Sequence, residues 1–144
     1  MNVNVNKMYK IEQLIPQRSP IMMVDELLSV NGDDATCRLT VRPDNFFIDE
    51  DSLMAEPGLI EHIAQSASAF AGYRAMEEGA TEPPVGYIGE VKNFHLHKRP
   101  AIGDTLTTTI TMGDEVNGIT LITGTTKVGD EVYADTKMKI FVKE

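Results

Sequence analysis

Glu61 and Gln65 are the residues of this chain whose types and spacing best suit catalysis. They place a carboxyl and a carboxamide at positions i and i+4, which lie on the same face of a helix. No Asp, Glu, Lys or Arg follows Glu61 until Arg74, so the setting is largely apolar. Burial of a lone carboxylate favours its protonated form, which suits a general acid. A solvated helix edge or a protein interface is the alternative explanation for Glu61.

The three histidines are weaker candidates for a catalytic or metal-binding role. His62 directly follows Glu61 and therefore points about 100° away from it around a helix. We expect it to be a satisfied histidine that packs on the sheet or at a dimer contact. His95 and His97 share one strand face and could hold a metal, but no third ligand is evident. Basic residues lie close by, at Lys92, Lys98 and Arg99. We therefore predict a basic rim and no metal site.

One long helix must position Glu61 and Gln65. Pro57 suits a first helical turn and Gly79 suits a C-terminal cap, which predicts a helix over Pro57–Glu78. Its small residues, Ala, Ser and Gly, occur around the whole circumference, which lets a sheet approach on several sides. The sequence therefore predicts a buried central helix.

Strands are predicted on both sides of this helix, with a short helical turn at Lys10–Ile15 before them. The first residues either fray or form an edge strand. The predicted strands are Ile21–Val30, Ala35–Val41, Val85–His97, Thr105–Met112, Thr120–Val128 and Glu131–Val142. Two strands, one helix and four strands indicate an α+β fold with an antiparallel sheet, within one domain spanning residues 1–144.

Composition limits the classes of function. The net charge of −9 argues against binding to nucleic acid or to anionic membranes. The single cysteine, Cys37, excludes an internal disulfide and a cysteine-based zinc site, and we expect it in the core or at the surface. With neither an apolar leader nor a run long enough to span a membrane, we expect a cytoplasmic protein.

Three segments carry a family resemblance. They are Leu14–Asp25 (LIPQRSPIMMVD), Pro57-Gly58 with Glu61-x-x-x-Gln65, and Phe94–Leu106 with its Pro-Ala-Ile-Gly-Asp turn. In this order they resemble the hotdog-fold 3-hydroxyacyl-acyl-carrier-protein dehydratases, in which a curled antiparallel sheet wraps one long central helix. The loop Asp44–Asp51 resembles that of a divergent branch, the dehydratases associated with aryl-polyene biosynthesis.

The resemblance implies that Glu61 is the catalytic acid and that Gln65 holds its carboxyl. The chain departs from the family in two ways. It has no His before Glu61, where family members carry a catalytic His in a loop. Gln17 also stands where the first of the family's motifs has a His. The base is therefore unassigned, and acidic residues near the vacant position are candidates: Asp49, Glu50 and Asp51.

For substrate contacts we expect Gly58, whose backbone N–H could meet a thioester carbonyl, together with Phe47, Gln17 and Arg18. The resemblance implies an acyl thioester on acyl carrier protein or CoA, no cofactor, and a homodimer or a heterodimer with another hotdog dehydratase. The basic rim would hold an acidic carrier. Two alternatives stay open: a hotdog acyl thioesterase, and a non-catalytic dehydratase partner that lacks the usual His.

Overall fold

The computed structural model describes residues 2–143, which form one long helix and a seven-stranded sheet. The helix, α1, spans Glu56–Glu77 and has 22 residues. The strands are β1 Asn2–Val3, β2 Glu26–Asn31, β3 Asp34–Thr40, β4 Val85–Leu96, β5 Thr105–Val116, β6 Ile119–Val128 and β7 Glu131–Lys143. Their order in the sheet is β1-β2-β3-β5-β6-β7-β4, and every pair is antiparallel.

The helix lies against six of these strands, β2 to β7, as expected for a hotdog arrangement. Its small residues permit the close approach. A Cβ atom at Gly72 would overlap the carbonyl oxygen of Leu14, and one at Gly124 of β6 would lie 2.5 Å from Ile63 Cγ2. Phe70 and Ile63 are fully buried, so burial of their apolar surface stabilises the sheet–helix interface. The predicted central helix is confirmed.

The helix ends agree with the predicted bounds to within one residue. Pro57 stands in the first helical turn, and Gly79 has a φ of +99°, a conformation that glycine adopts at little cost after a helix. The predicted turn at Lys10–Ile15 contains a 3-10 helix over Ile11–Gln13. At the N-terminus, β1 pairs with β2 as an edge strand, and Met1 lies outside the described residues.

The strand predicted over Ile21–Val30 begins only at Glu26, so this prediction was wrong in its first half. The cause is that the backbone of the segment before β2 is hydrogen-bonded by α1 side chains rather than by a neighbouring strand. The Gln65 carboxamide accepts the Met23 N–H at 2.6 Å and donates to the Ile21 carbonyl at 2.8 Å. A run of apolar residues was thus mistaken for part of a strand.

The turn after β5 also differs from its prediction. We expected it at Gly113–Gly118, but β5 continues to Val116 through an irregularity between Met112 and Glu115. Asn117 and Gly118 then make the reversal, with φ values of +55° and +78°. Two residues with positive φ suit a tight hairpin turn.

Among residues 2–143, no helix has both the length and the apolarity that crossing a membrane requires.

Candidate active site

A cavity of about 190 Å³ lies between the first half of α1 and the strands β4 and β7. It brings together three residues singled out in the sequence: Glu61, Gln65 and Gln17. The remaining lining residues are Ala64, Ser68, Gly86, Tyr87, Ile88 and Ile140. A carboxyl and two carboxamides therefore share one small, partly apolar chamber, which is the usual form of a small-molecule site.

The Glu61 side chain is half-buried at this cavity. Its carboxyl accepts from Gln65 Nε2 at 3.5 Å, the outer limit for a hydrogen bond. Among the described side chains, those of residues 2–141, none of the ion pairs includes Glu61. The carboxyl group is therefore available to a ligand in the cavity.

Gln65 is buried, and both atoms of its carboxamide are used by the segment before β2. These two bonds at 2.6 and 2.8 Å are much shorter than the contact with Glu61. Gln65 therefore fixes the chain that forms one side of the cavity. Its catalytic role beside Glu61 stays a prediction.

His62 is fully buried and points away from the cavity. Its Nδ1 lies 2.6 Å from the Met23 carbonyl oxygen, which only accepts, so Nδ1 carries the proton. Nε2 of the neutral ring then accepts from the Thr108 hydroxyl at 2.7 Å, and Thr108 is bonded to Thr126 at 2.7 Å. Burial lowers the pKa of His62 to about 4, against the bond to Met23, which raises it. The expected satisfied histidine, packed on the sheet, is confirmed.

Gly58 and Phe47 pack against each other and are not among the residues that line the Glu61 cavity. A Cβ atom at Gly58 would lie 2.6 Å from Phe47 Cβ, so only glycine permits this approach. The Gly58 N–H donates to the Ala55 carbonyl at 2.9 Å and is thereby occupied. Substrate contacts at Gly58 and Phe47 remain predictions, and within this chain the Gly58 N–H is not free for a thioester.

Arg18 is exposed and folds the segment that carries Gln17. Its guanidinium donates to the carbonyl oxygens of Ile15 at 2.7 Å, Gln17 at 2.8 Å and Glu12 at 2.8 Å. Three bonds from one planar group hold this short stretch in a fixed shape. Arg18 therefore positions Gln17. A contact between Arg18 and a substrate stays a prediction.

The acidic loop before α1 is stapled by an ion pair between Asp49 and Arg99. This hydrogen bond from Arg99 holds the pKa of the Asp49 carboxyl below its usual value. Asp49 also accepts the N–H groups of Asp51 at 2.9 Å and Leu53 at 3.4 Å. A carboxylate held in its charged form this way is a poor proton acceptor, which weakens the case for Asp49 as the base. Glu50 and Asp51 are exposed.

His95 and His97 both contact one aspartate on β7, Asp135, at 3.0 and 2.8 Å. These bonds, and above all the one from His95, lower the pKa of Asp135. Across residues 2–143, no group of three or more His, Cys, Asp or Glu side chains has an arrangement that could hold a metal ion. In the predicted basic rim, Arg99 is used by Asp49, and Lys98 lies 3.8 Å from Glu131.

The β4 wall of the cavity was missed in the sequence. Tyr87 and Ile88 reach α1 only because β4 pairs with β7, a contact between distant parts of the chain. One signal was present, since a glycine inside a strand often marks close backbone approach. Gly86 is such a residue, because a Cβ atom there would lie 3.1 Å from Ser68 Oγ.

A second cavity, of about 510 Å³, continues along the same face of α1 towards its C-terminal end. Ala71 and Ala75 line it, and together with Ala64 and Ser68 of the first cavity they form one stripe of small side chains. Ile140 lines both cavities. The two spaces are therefore neighbours along about 20 Å of helix, at 1.5 Å per residue.

A single long helix packed against one antiparallel sheet, with a carboxyl of that helix at a cavity, is the arrangement that the sequence predicted for a hotdog dehydratase. Comparison with known proteins agrees with this class. The chain belongs to the ApeP-like family, described as ApeP dehydratase, which matches residues 9–144.

A relative by sequence is a protein named 3-hydroxyacyl-(acyl-carrier-protein) dehydratase FabZ, from Methylobacterium nodulans. It is 26% identical over 102 residues, which cover 67% of this chain. The match covers 64% of that protein, so this chain spans less than two thirds of its relative's length.

Solved structures share the fold at low sequence identity. A chain of the dehydratase heterocomplex ApeI:P from Xenorhabdus doucetiae has a TM-score of 0.87 and 14% identity, covering 94% of this chain and 92% of that one. A hypothetical thioesterase with coenzyme A from Streptococcus pneumoniae has a TM-score of 0.63 and 10% identity, covering 82% and 84%. These likenesses show the hotdog fold alone.

Proposed function

We propose that this chain supplies Glu61 as the general acid for dehydration of 3-hydroxyacyl thioesters carried by acyl carrier protein or CoA. The observation that carries this proposal is the Glu61 carboxyl, half-buried at a cavity and without a cationic partner among the side chains that the structure describes, those of residues 2–141. The family to which the chain belongs is described as a dehydratase and supports the same chemistry.

The reaction needs one acid and one base. The base removes a proton from C2, and the electron pair of that C–H bond forms the C2–C3 double bond. The C3–O bond breaks as Glu61 donates its proton to the leaving hydroxyl, which departs as water. Glu61 leaves this step as a carboxylate, and the base leaves it protonated.

The described residues that line the Glu61 cavity include no His, no Asp and no second Glu that could act as the base. His62 is locked between Met23 and Thr108, and Asp49 is held as a carboxylate by Arg99. The remaining histidines, His95 and His97, contact Asp135 and are not among the lining residues of the cavity. We infer that a second subunit supplies the base, which makes this chain one half of a shared site.

The position of β4 supports a shared site. β4 is the last strand of the sheet, so one of its edges has no partner strand within residues 2–143. Unpaired edges tend to acquire a partner. Tyr87 and Ile88 of β4 are 53% and 39% exposed and also line the Glu61 cavity. A subunit docked on β4 would therefore lie directly beside the catalytic carboxyl.

Two kinds of partner fit this position. A second copy of the chain would bring Gln17 or the acidic loop 49–51 to the cavity. A different hotdog dehydratase would bring a histidine, and the heterocomplex ApeI:P is a dehydratase assembled from two kinds of chain. We favour the second partner, because it supplies the base that this chain lacks.

The small-residue stripe on α1 gives the acyl chain a place to lie. From Ala64 to Ala75 the stripe runs past both cavities, with Ile140 between them. We propose that the acyl chain enters along this stripe, with its thioester end near Glu61.

The single cysteine, Cys37, is buried and unpaired, which suits the reducing cytoplasm that we propose as the location.

The test is an assay of 3-hydroxyacyl thioesters on carrier protein and on CoA, in which enoyl product and free thiol are both followed. The chain is assayed alone and with a histidine-containing hotdog dehydratase whose own acid has been substituted. We expect enoyl product only in the mixture. Glu61→Gln should lower the rate at least a hundredfold, while the exposed control Glu56→Gln should not.

Other outcomes point elsewhere. Full turnover by Glu61→Gln in the mixture would contradict the acid role. Free thiol, released from acyl-CoA and abolished by Glu61→Gln, would favour a thioesterase, in which the carboxylate activates water. Product formed by the chain alone would contradict the need for a second kind of subunit and direct the search for a base to Glu50 and Asp51.

A further inference from the structure

Gln17 carries a buried oxygen that lacks a hydrogen-bond donor. Its Oε1 atom is inaccessible to solvent and is the single buried side-chain N or O atom without a hydrogen-bond partner among the described side chains of residues 2–141. Buried polar atoms are nearly always paired, and an unpaired one costs free energy. An exception of this kind calls for a physical account.

The unpaired oxygen belongs to a residue that lines the Glu61 cavity. Its main chain is held in place because the Gln17 carbonyl accepts from Arg18, which also binds Ile15 and Glu12. On the other side, the Gln65 carboxamide is committed to Ile21 and Met23. Gln17 is thus the lining carboxamide whose oxygen has capacity to accept a bond.

A hydroxyl group is the ligand group that can bond both Gln17 Oε1 and Glu61. A hydroxyl donates one hydrogen bond and accepts others, so it can donate to Gln17 Oε1 while it accepts from a protonated Glu61. Gln17 and Glu61 both line this cavity, so a rotation of the Gln17 carboxamide that exposes Oε1 to the cavity would place an acceptor and an acid around one alcohol. Neither contact is available to an acyl chain that lacks the hydroxyl.

We propose that Gln17 is a specificity-determining residue that recognises the C3 hydroxyl of the substrate. This inference rests on the proposed function, since it assumes that the acyl chain reaches the Glu61 cavity. Gln17 is a positioning residue and transfers no proton. By orienting the hydroxyl oxygen towards Glu61, it selects 3-hydroxyacyl chains over saturated and unsaturated ones.

The test measures binding rather than turnover. Two ligands are compared by calorimetry: 3-hydroxyoctanoyl and octanoyl amides of pantetheine, in which nitrogen replaces the thioester sulfur so that elimination does not occur. The proteins are the native chain, Gln17→Leu and the control Gln13→Leu, each alone and with the partner dehydratase. Gln13 is exposed and bonds only the Lys10 N–H in its own turn, so it tests the same chemical change outside the cavity.

We expect the native chain and Gln13→Leu to bind the hydroxylated ligand roughly tenfold more tightly than the plain one. In Gln17→Leu this preference should fall by roughly fivefold, because one hydrogen bond is lost. The plain ligand should bind Gln17→Leu as well as, or better than, the native chain, since no oxygen is then left unpaired. A merely structural role would weaken both ligands equally.

An unchanged preference in Gln17→Leu, or an equal loss for both ligands, overturns the inference while leaving the proposed function intact. Failure of the native chain to bind either ligand in any mixture contradicts the proposed function itself, and the inference falls with it. Thermal unfolding of the two variants shows whether each is folded at the temperature of the titration.

Discussion

Lowering the pH should destabilise this protein through one buried group, His62. The ring is fully buried and neutral, with both nitrogens bonded to Met23 and Thr108. Burial lowers its pKa to about 4, from 6.5 for the free side chain. Because the unfolded chain takes up the proton more readily than the folded one, the stability is complete above about pH 6.5 and is lost as the pH falls towards about 4.

The size of the effect follows from the two pKa values. At about pH 5 the unfolded His62 is largely protonated and the folded one is largely neutral. The linkage relation then gives a loss of about 2 kcal/mol in the free energy of unfolding between about pH 7.5 and pH 5. The bonded carboxylates Asp49 and Asp135 act at lower pH, because their folded pKa values lie below the usual 3.8.

The measurement is urea unfolding at these two pH values for the native chain and for His62→Gln. The glutamine cannot be protonated in this range, so its variant should be less stable at about pH 7.5 but should lose little more at about pH 5. The difference between the two pH-dependent losses isolates the histidine. If the variant loses as much stability as the native chain, the protonation of His62 is not the cause and the reasoning is refuted.

Three further outcomes follow from the packing around α1. Gly72→Ala should destabilise the fold by about 2 kcal/mol or more in urea unfolding, because its Cβ atom would overlap the Leu14 carbonyl oxygen; an unchanged midpoint would contradict this contact. Gln65→Leu should cost about 3 kcal/mol and speed amide exchange at Met23, whose N–H it leaves unpaired; preserved protection there would argue against the bond. The Cys37 thiol should react with a disulfide reagent only after unfolding, since burial raises its pKa to about 12; rapid labelling of the native protein would contradict this.

The helix and the later strands could be predicted because local chemistry marks their ends. Pro57 and Gly79 bracket α1, and their backbone preferences do not depend on distant contacts. The ordered motifs around Glu61 predicted a hotdog dehydratase, and the ApeP-like family match confirms it. Helical spacing placed His62 about 100° around the helix from Glu61, and the structure confirms that it packs on the sheet.

The segment before β2 could not be predicted in the same way. Ile21 and Met23 have the composition of a strand, but their backbone partners are side chains of α1 about 40 positions away, at Gln65 and His62. The β4 wall of the cavity depends likewise on strand pairing across the sheet. The ion pair of Asp49 with Arg99 joins a loop to a turn 50 residues later. It weakens the prediction that Asp49 is the catalytic base, and the sequence gives no sign of it.

Glu61 contributes little to holding the protein together. Its carboxyl makes one long hydrogen bond to Gln65, whereas its neighbour His62 joins the helix to the sheet. Under the proposed function, a single exchange at Glu61 would therefore abolish the chemistry and leave a folded chain that still binds its partner. In a duplicated gene, such a copy could persist as a scaffold for its companion, so that inactive and active members of one lineage would be separated by as little as one codon.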